Sequence, residues 1–164
     1  MAQLPLDDRD LQILVVLSRE GRISKTDLAR RVNLSATPAL ERMKRLEQAG
    51  LIRGYRAEVA LARIVTHVVV FVMVELESHR PETFRTFESA VAAYDEITGV
   101  WAIGGGFDYL MQVITRDIDS YQRLVDALLS DRPGVRRYFT YVVTKEVKSE
   151  PPPLETLASL AREE

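Results

Sequence analysis

The chain has 164 residues, 46% apolar and 28% charged, with 22 Lys+Arg against 24 Asp+Glu and no cysteine. This is the profile of a folded globular chain, and it excludes disulfide scaffolds and thiolate metal sites. The longest apolar run, Val68 to Val74, is far too short to cross a bilayer, and Met1-Ala2-Gln3-Leu4-Pro5 lacks a basic-then-apolar signal pattern, so a cytoplasmic protein with no membrane partner is expected.

Charge divides the chain in two. Residues 1–64 carry 12 Lys+Arg and 8 Asp+Glu, whereas the remainder carries 10 and 16. Between Arg22 and Arg56 nine basic residues stand against Asp27, Glu41 and Glu47, the footprint expected where phosphates are met.

The basic head reads as three helices. Asp7 suits an N-cap, with acidic residues behind it at the positive end of the dipole, and Leu11, Leu14 and Leu17 recur at helical spacing until Gly21. Ser24 and Asp27 form a capping box for a short second helix with Leu28, Ala29 and Val32 inward and Lys25, Arg30 and Arg31 in water. Asn33 tolerates positive φ, Leu34 can plug the core, and Ser35 caps a third helix whose first turn accepts Pro38. Phased at 100° per residue, that helix puts Ala39, Leu40, Met43 and Leu46 on one stripe and Thr37, Pro38, Glu41, Arg45 and Gln48 on the other, with Arg42 and Lys44 flanking. Two short helices joined by a tight turn, the second exposing small and polar groups and arginines, are what a helix-turn-helix needs to enter a major groove. After Gly50 the alternation over residues 51–57 suggests a small hairpin or wing carrying Arg53 and Arg56.

The acidic body opens with a strand from Val65 to Leu76 that is apolar in both registers, so both of its faces need cover. A helix from Pro81 follows with Phe84, Phe87, Ala90 and Val91 inward, then a strand at Val100–Ile103 and a tight Gly104-Gly105-Gly106 loop. Tyr109 to Thr115 is the next strand, Asp117 or Asp119 caps a helix carrying Tyr121, Leu124, Val125 and Leu128, and Val135 to Val147 closes as a strand. The order β-α-β-β-α-β is the split βαβ of a ferredoxin-like domain, α+β in class, with both helices on one face of an antiparallel sheet. The other face is expected to pack on a second copy, giving a homodimer. His67 and His79 stand alone, His67 beside an apolar strand, and no catalytic or zinc-binding pattern occurs, so no enzyme, metal or cofactor is expected.

Taken in order, several blocks make the sequence resemble the Lrp/AsnC family, the feast/famine regulators of bacteria and archaea. In the head they are Leu6-Asp7-Asp8-Arg9-Asp10, Gly21-Arg22-Ile23-Ser24, Leu28 to Ser35, Thr37-Pro38 and Glu41 to Ile52. In the body they are Phe107-Asp108-Tyr109-Leu110, Pro133-Gly134-Val135 and Thr140-Tyr141-Val142-Val143. The resemblance implies a winged helix-turn-helix domain over residues 1–60, its helix-turn-helix near 24–49, then a ferredoxin-like effector-binding and oligomerisation domain over 61–149 and a tail over 150–164. It further implies a transcriptional regulator on double-stranded DNA, associated with the nucleoid, whose dimers assemble further, to octamers in the family, and which responds to an amino acid or similar metabolite. A DNA-wrapping architectural protein without an effector is the alternative.

Ser35, Ala36, Thr37 and Pro38 lie where the helix N-terminus would meet DNA. Arg42 and Arg45 are candidates for guanine contacts or, Arg42 especially, for phosphate anchoring; Glu41 could accept from cytosine or pair with Arg45. Arg30, Arg31, Arg53 and Arg56 would position rather than specify. For an effector, Gly104, Gly105 and Gly106 let backbone N–H groups approach a carboxylate while Asp108 holds an ammonium or, alternatively, bonds to its own turn. By resemblance Asp108 is the family's recurrent loop aspartate and Thr140 a neighbour of the pocket. Gly106 departs from the acidic residue that many members carry, which bears on the ligand class.

Overall fold

Local sequence signals account for most of the helix ends in the computed structural model, which describes residues 5–131 and 133–160. Helix α1 (Asp8–Arg19) starts at Asp7, whose carboxylate accepts from the Asp10 backbone N–H while the Asp10 carboxylate accepts from that of Asp7. Helix α2 (Lys25–Arg31) starts at Ser24, which accepts from Asp27 N–H and donates to its carboxylate. The turn to α3 (Ala36–Gln48) runs through Asn33 at φ 51°, a left-handed position that asparagine tolerates. Ile13, Leu28, Val32 and Leu46 are buried together, with Leu14, Leu17, Ile23, Leu34, Met43 and Ile52 packed around them. Arg9 ties the start of α1 to the end of α2 by donating to the Val32 carbonyl at 2.8 Å.

The hairpin expected over residues 51–57 does not form. No strand occurs there, because the N–H groups of Leu51 and Ile52 turn back to the Leu46 carbonyl, at 3.0 and 3.3 Å, and close the end of α3. Tyr55 instead donates to Glu47 at 2.9 Å. Partial burial and that carboxylate push the phenol up to about 12, so it remains a donor.

A 3₁₀ turn, Leu61–Arg63, precedes β1 (Val68–Leu76), α4 (Pro81–Val91), β2 (Ile97–Ala102), β3 (Tyr109–Thr115), α5 (Ile118–Ser130) and β4 (Val135–Val142). The four strands form one antiparallel sheet in the order β2-β3-β1-β4. Asp117 is the α5 cap, its carboxyl held below its ordinary value by Ser120. Strands β1 and β4 are shorter than expected: β1 begins at Val68, opposite Thr115 where β3 ends, and β4 ends beside Val69, whose carbonyl accepts the last β1–β4 bond from Val143 N–H.

Alternation decides which side of the sheet is dry. Val70, Val72, Val74, Tyr109, Met111 and Val113 are buried against Phe87 and Val91 of α4 and Tyr121, Leu124, Val125 and Leu128 of α5. On the opposite face β1 presents Val69, Phe71 and Met73, all half-buried, opposite Tyr141 and Phe139 of β4 and beside Leu110 and Ile114 of β3. Trp101, Phe139 and Tyr141 are 48%, 41% and 52% exposed, a contiguous apolar face of a kind that soluble monomers seldom show.

The chain divides into two units, Met1–Val59 with Lys148–Glu164, and Ala60–Val147. The tail therefore joins the head rather than standing apart: α6 (Leu154–Leu160) lies against α1, and Arg19 pairs with Glu155 at 2.9 Å.

Candidate nucleic-acid interface and effector loop

Because α3 buries Ala39 and Leu46, its other side is turned to solvent, and Ser35, Ala36, Thr37, Pro38, Glu41 and Lys44 are all exposed. Ser35 occupies the N-cap position with an extended backbone, but its hydroxyl makes no capping bond, contrary to the expected side-chain cap. That hydroxyl and the amides of Ala36 and Thr37 form a donor-rich helix start, where helical partners are lacking.

The arginines behave differently from one another. Arg30 pairs with Asp27 at 2.9 Å, and Arg31 grips Glu20 through two nitrogens at 2.5 and 3.1 Å, both pairs exposed. Arg53 and Arg56 are exposed on the segment after α3. Arg42 donates to Asp7 at 2.6 Å and to Asp10 at 2.9 Å, and Arg45 donates to Asp10 at 2.5 Å. Arg45 thus turns to α1 and not to Glu41, so the intrahelical pair considered from spacing is absent among the described residues. Arg42 and the Asp10 amide hold the Asp7 carboxyl down to about 2, the amide contributing more.

Asp10 is the residue that the sequence reading missed. It served there only as a favourable first-turn charge, yet it has no exposed surface and gathers both arginines. One signal was available: Asp10 lies one helical turn before Ile13 and Leu14, on the stripe of α1 that faces the core.

In the second unit the Gly104–Gly106 loop is exposed and closed by a bond from Ile103 N–H to the Asp108 carbonyl at 2.9 Å. Gly105 has φ +129° and needs glycine for that reason, whereas a side chain at Gly104 or Gly106 would meet open space. Asp108 is mostly buried: one carboxylate oxygen accepts from Leu76 N–H at 2.8 Å and the other lies 2.9 Å from His79 Nε2. The aspartate therefore bonds to the end of β1 rather than to its own turn. Thr140 is not brought to this cluster, since its hydroxyl sits 2.5 Å from the Tyr121 hydroxyl of α5. Among the described residues no group of histidine and carboxylate side chains could hold a metal, and no helix is long and apolar enough to cross a membrane.

Comparison with known proteins matches both units. Residues 6–53 fit a winged helix-turn-helix DNA-binding model and residues 69–153 the Lrp/AsnC ligand binding domain. The chain is 48% identical to the transcriptional regulatory protein DoeX of Halomonas elongata, over 88% of this chain and 92% of that protein. It is 41% identical to the leucine-responsive regulatory protein of Escherichia coli K12, over 87% of each. A Neisseria meningitidis transcriptional regulator solved as its L-Met complex superposes with a TM-score of 0.84 at 33% identity, covering 93% of this chain and 99% of that one. With a DNA-binding helix-turn-helix and a ligand-binding domain both matched in order, this chain belongs to the Lrp/AsnC family of transcriptional regulators.

Proposed function

We propose that the regulator reads duplex DNA with the exposed side of α3, as a homodimer joined through the bare face of its sheet, and that an amino acid or similar metabolite acts at the glycine loop. The observation that carries the DNA reading is the exposed, donor-rich start of α3, Ser35 to Pro38, followed on the same side by Glu41 and Arg45. Ala36 and Thr37 amides and the Ser35 and Thr37 hydroxyls suit phosphate or base edges, and Arg45 suits guanine. Arg30, Arg31, Arg53 and Arg56 anchor the backbone, and Arg42, which is bonded to Asp7 and shares Asp10 with Arg45, suits phosphate anchoring rather than base reading.

The apolar sheet face supports a symmetric dimer, which would offer two recognition helices to two half-sites and make the second engagement intramolecular. Assembly beyond the dimer, nucleoid association and cytoplasmic residence are the family expectation carried over. At the loop, the neighbour solved with L-Met supports an α-amino acid. Its ammonium would meet Asp108 in place of His79, and its carboxylate would meet the amides of Gly104, Gly105 and Gly106.

Binding sites selected from random duplexes test the DNA reading, with affinity measured across salt. Arg45→Ala should relax base preference, whereas Arg31→Ala should weaken all sequences alike and flatten the salt dependence by about one unit in log–log slope. Equal losses for Arg45→Ala on selected and random DNA would reject its reading role. A thermal-shift screen of the common amino acids tests the effector, since a ligand bound only to the folded form raises Tm. A shift that survives Asp108→Asn would remove Asp108 from the site, and no shift at millimolar ligand would favour the architectural alternative.

A further inference from the structure

One ionisable group in the head has no surface at all. Asp10 is 0% exposed, and its two oxygens are divided between two arginines of α3: Oδ1 accepts from Arg42 at 2.9 Å, Oδ2 from Arg45 at 2.5 Å. Oδ2 also accepts the Asp7 amide at 3.2 Å, which completes the cap of α1. Capping alone would need neither arginine nor burial. The arginines are three residues apart on α3, so a single carboxylate on the neighbouring helix spans both.

We propose that Asp10 is a specificity-determining positioning residue, which fixes the plane of the Arg45 guanidinium, and of Arg42 behind it, before DNA arrives. The inference rests on the DNA reading given above. A guanidinium carries five N–H donors in a rigid fork, and the bond to Asp10 takes one of them at Arg45. Arg45 keeps 46% of its side chain exposed, while Arg42, held also by Asp7, keeps 28%. The bond to Asp10 therefore restricts the directions in which the remaining Arg45 donors can point. A guanidinium held in one plane satisfies the paired acceptors of one base, whereas a freely turning one pairs equally well with any nearby phosphate. Holding it beforehand also removes side-chain entropy that binding would otherwise have to overcome. The Asp10 charge meanwhile offsets part of the arginine attraction for random DNA.

This gives a signature that a purely structural role lacks. Asp10→Asn keeps the shape of the side chain but removes the charge that holds both arginines and puts an NH2 donor opposite one of them. Affinity for the selected site should fall about tenfold relative to random DNA, the size of one lost base contact. Affinity for random DNA should hold or rise, with a steeper salt dependence as the freed guanidinium finds phosphate. Arg45→Ala should lower the same ratio, and adding Asp10→Asn to it should change the ratio no further. Equal loss on both DNAs, or additive losses in the double variant, would overturn the proposal. An unchanged ratio for Asp10→Asn beside a lowered one for Arg45→Ala would overturn it while leaving the DNA reading intact. An unchanged ratio for Arg45→Ala would overturn it together with the reading role of Arg45. Should Asp10→Asn fail to fold, nitrogen relaxation of the arginine side chains in the unmodified protein decides: hindered rotation of the Arg45 guanidinium is expected, and free rotation would refute the clamp.

Discussion

Placing one charge in the bare sheet face should dissociate the proposed dimer, and the structure sets the scale. Phe71 lies on central strand β1, opposite Gln112 and Tyr141, among the half-buried apolar side chains of that face. Trp101, Phe139 and Tyr141 leave roughly half their surface in water, so about 100 Å² each, or about 300 Å² per copy, awaits cover. At ~25 cal/mol per Å², two copies gain about 15 kcal/mol from these six side chains, against an association cost of about 4–15 kcal/mol. Phe71→Asp acts twice in a symmetric dimer: each copy loses about 2 kcal/mol of apolar burial, and each must also strip water from an unpaired carboxylate. The sum exceeds about 4 kcal/mol, a factor of roughly a thousand in dissociation constant. In sedimentation equilibrium at micromolar concentration the parent chain should run at twice 18.6 kDa or an even multiple of it and the variant at 18.6 kDa, with unchanged far-ultraviolet circular dichroism. A folded variant that retains the dimer mass would refute the placement of the interface on this face.

Leu46→Ala, at a side chain with no exposed surface in the head core, should lower unfolding free energy by about 2–5 kcal/mol, measured by urea denaturation. Gly134→Ala should destabilise the second unit by more than about 1 kcal/mol, because Gly134 has φ +77° and an added Cβ would come within 2.7 Å of Thr83; an unchanged Tm would contradict that strain. The Asp7 carboxyl is lowered from 3.8 to about 2 by the Asp10 amide and Arg42, so the stability it gives is present above pH 3.8 and lost as pH falls towards 2. Asp7→Asn should accordingly flatten the fall of head stability in that window, by a small amount because the side chain is half exposed; an identical acid profile would remove Asp7 from the account.

Much of the fold was legible because it is written in local periodicity. The stripe Ala39, Leu40, Met43 and Leu46 fixed the buried side of α3 and, by subtraction, the exposed residues that face DNA in the proposal. The caps at Asp7, Ser24 and Asp117 needed only near neighbours. Strand ends at Val68 and Val142 were less legible, since a strand stops where its partner does. The segment after Gly50 misled: its alternation is compatible with a ladder, but its first two amides were already taken by the end of α3.

The sequence by itself determined the order of the first five helices and the four sheet strands, the buried sides of α2 to α5 and the family, all of which follow from spacing along the chain; on α1 the stripe Leu11, Leu14 and Leu17 left out Asp10 and Ile13, which the structure buries. Tertiary structure decided the pairings. Asp10 meets Arg42 and Arg45 across more than 30 residues, Asp108 meets the Leu76 amide across a similar gap, Thr140 goes to Tyr121, and α6 returns to α1. Periodicity specifies which side of an element is buried, but not which charged group waits opposite, because that depends on how separate elements are brought together in space.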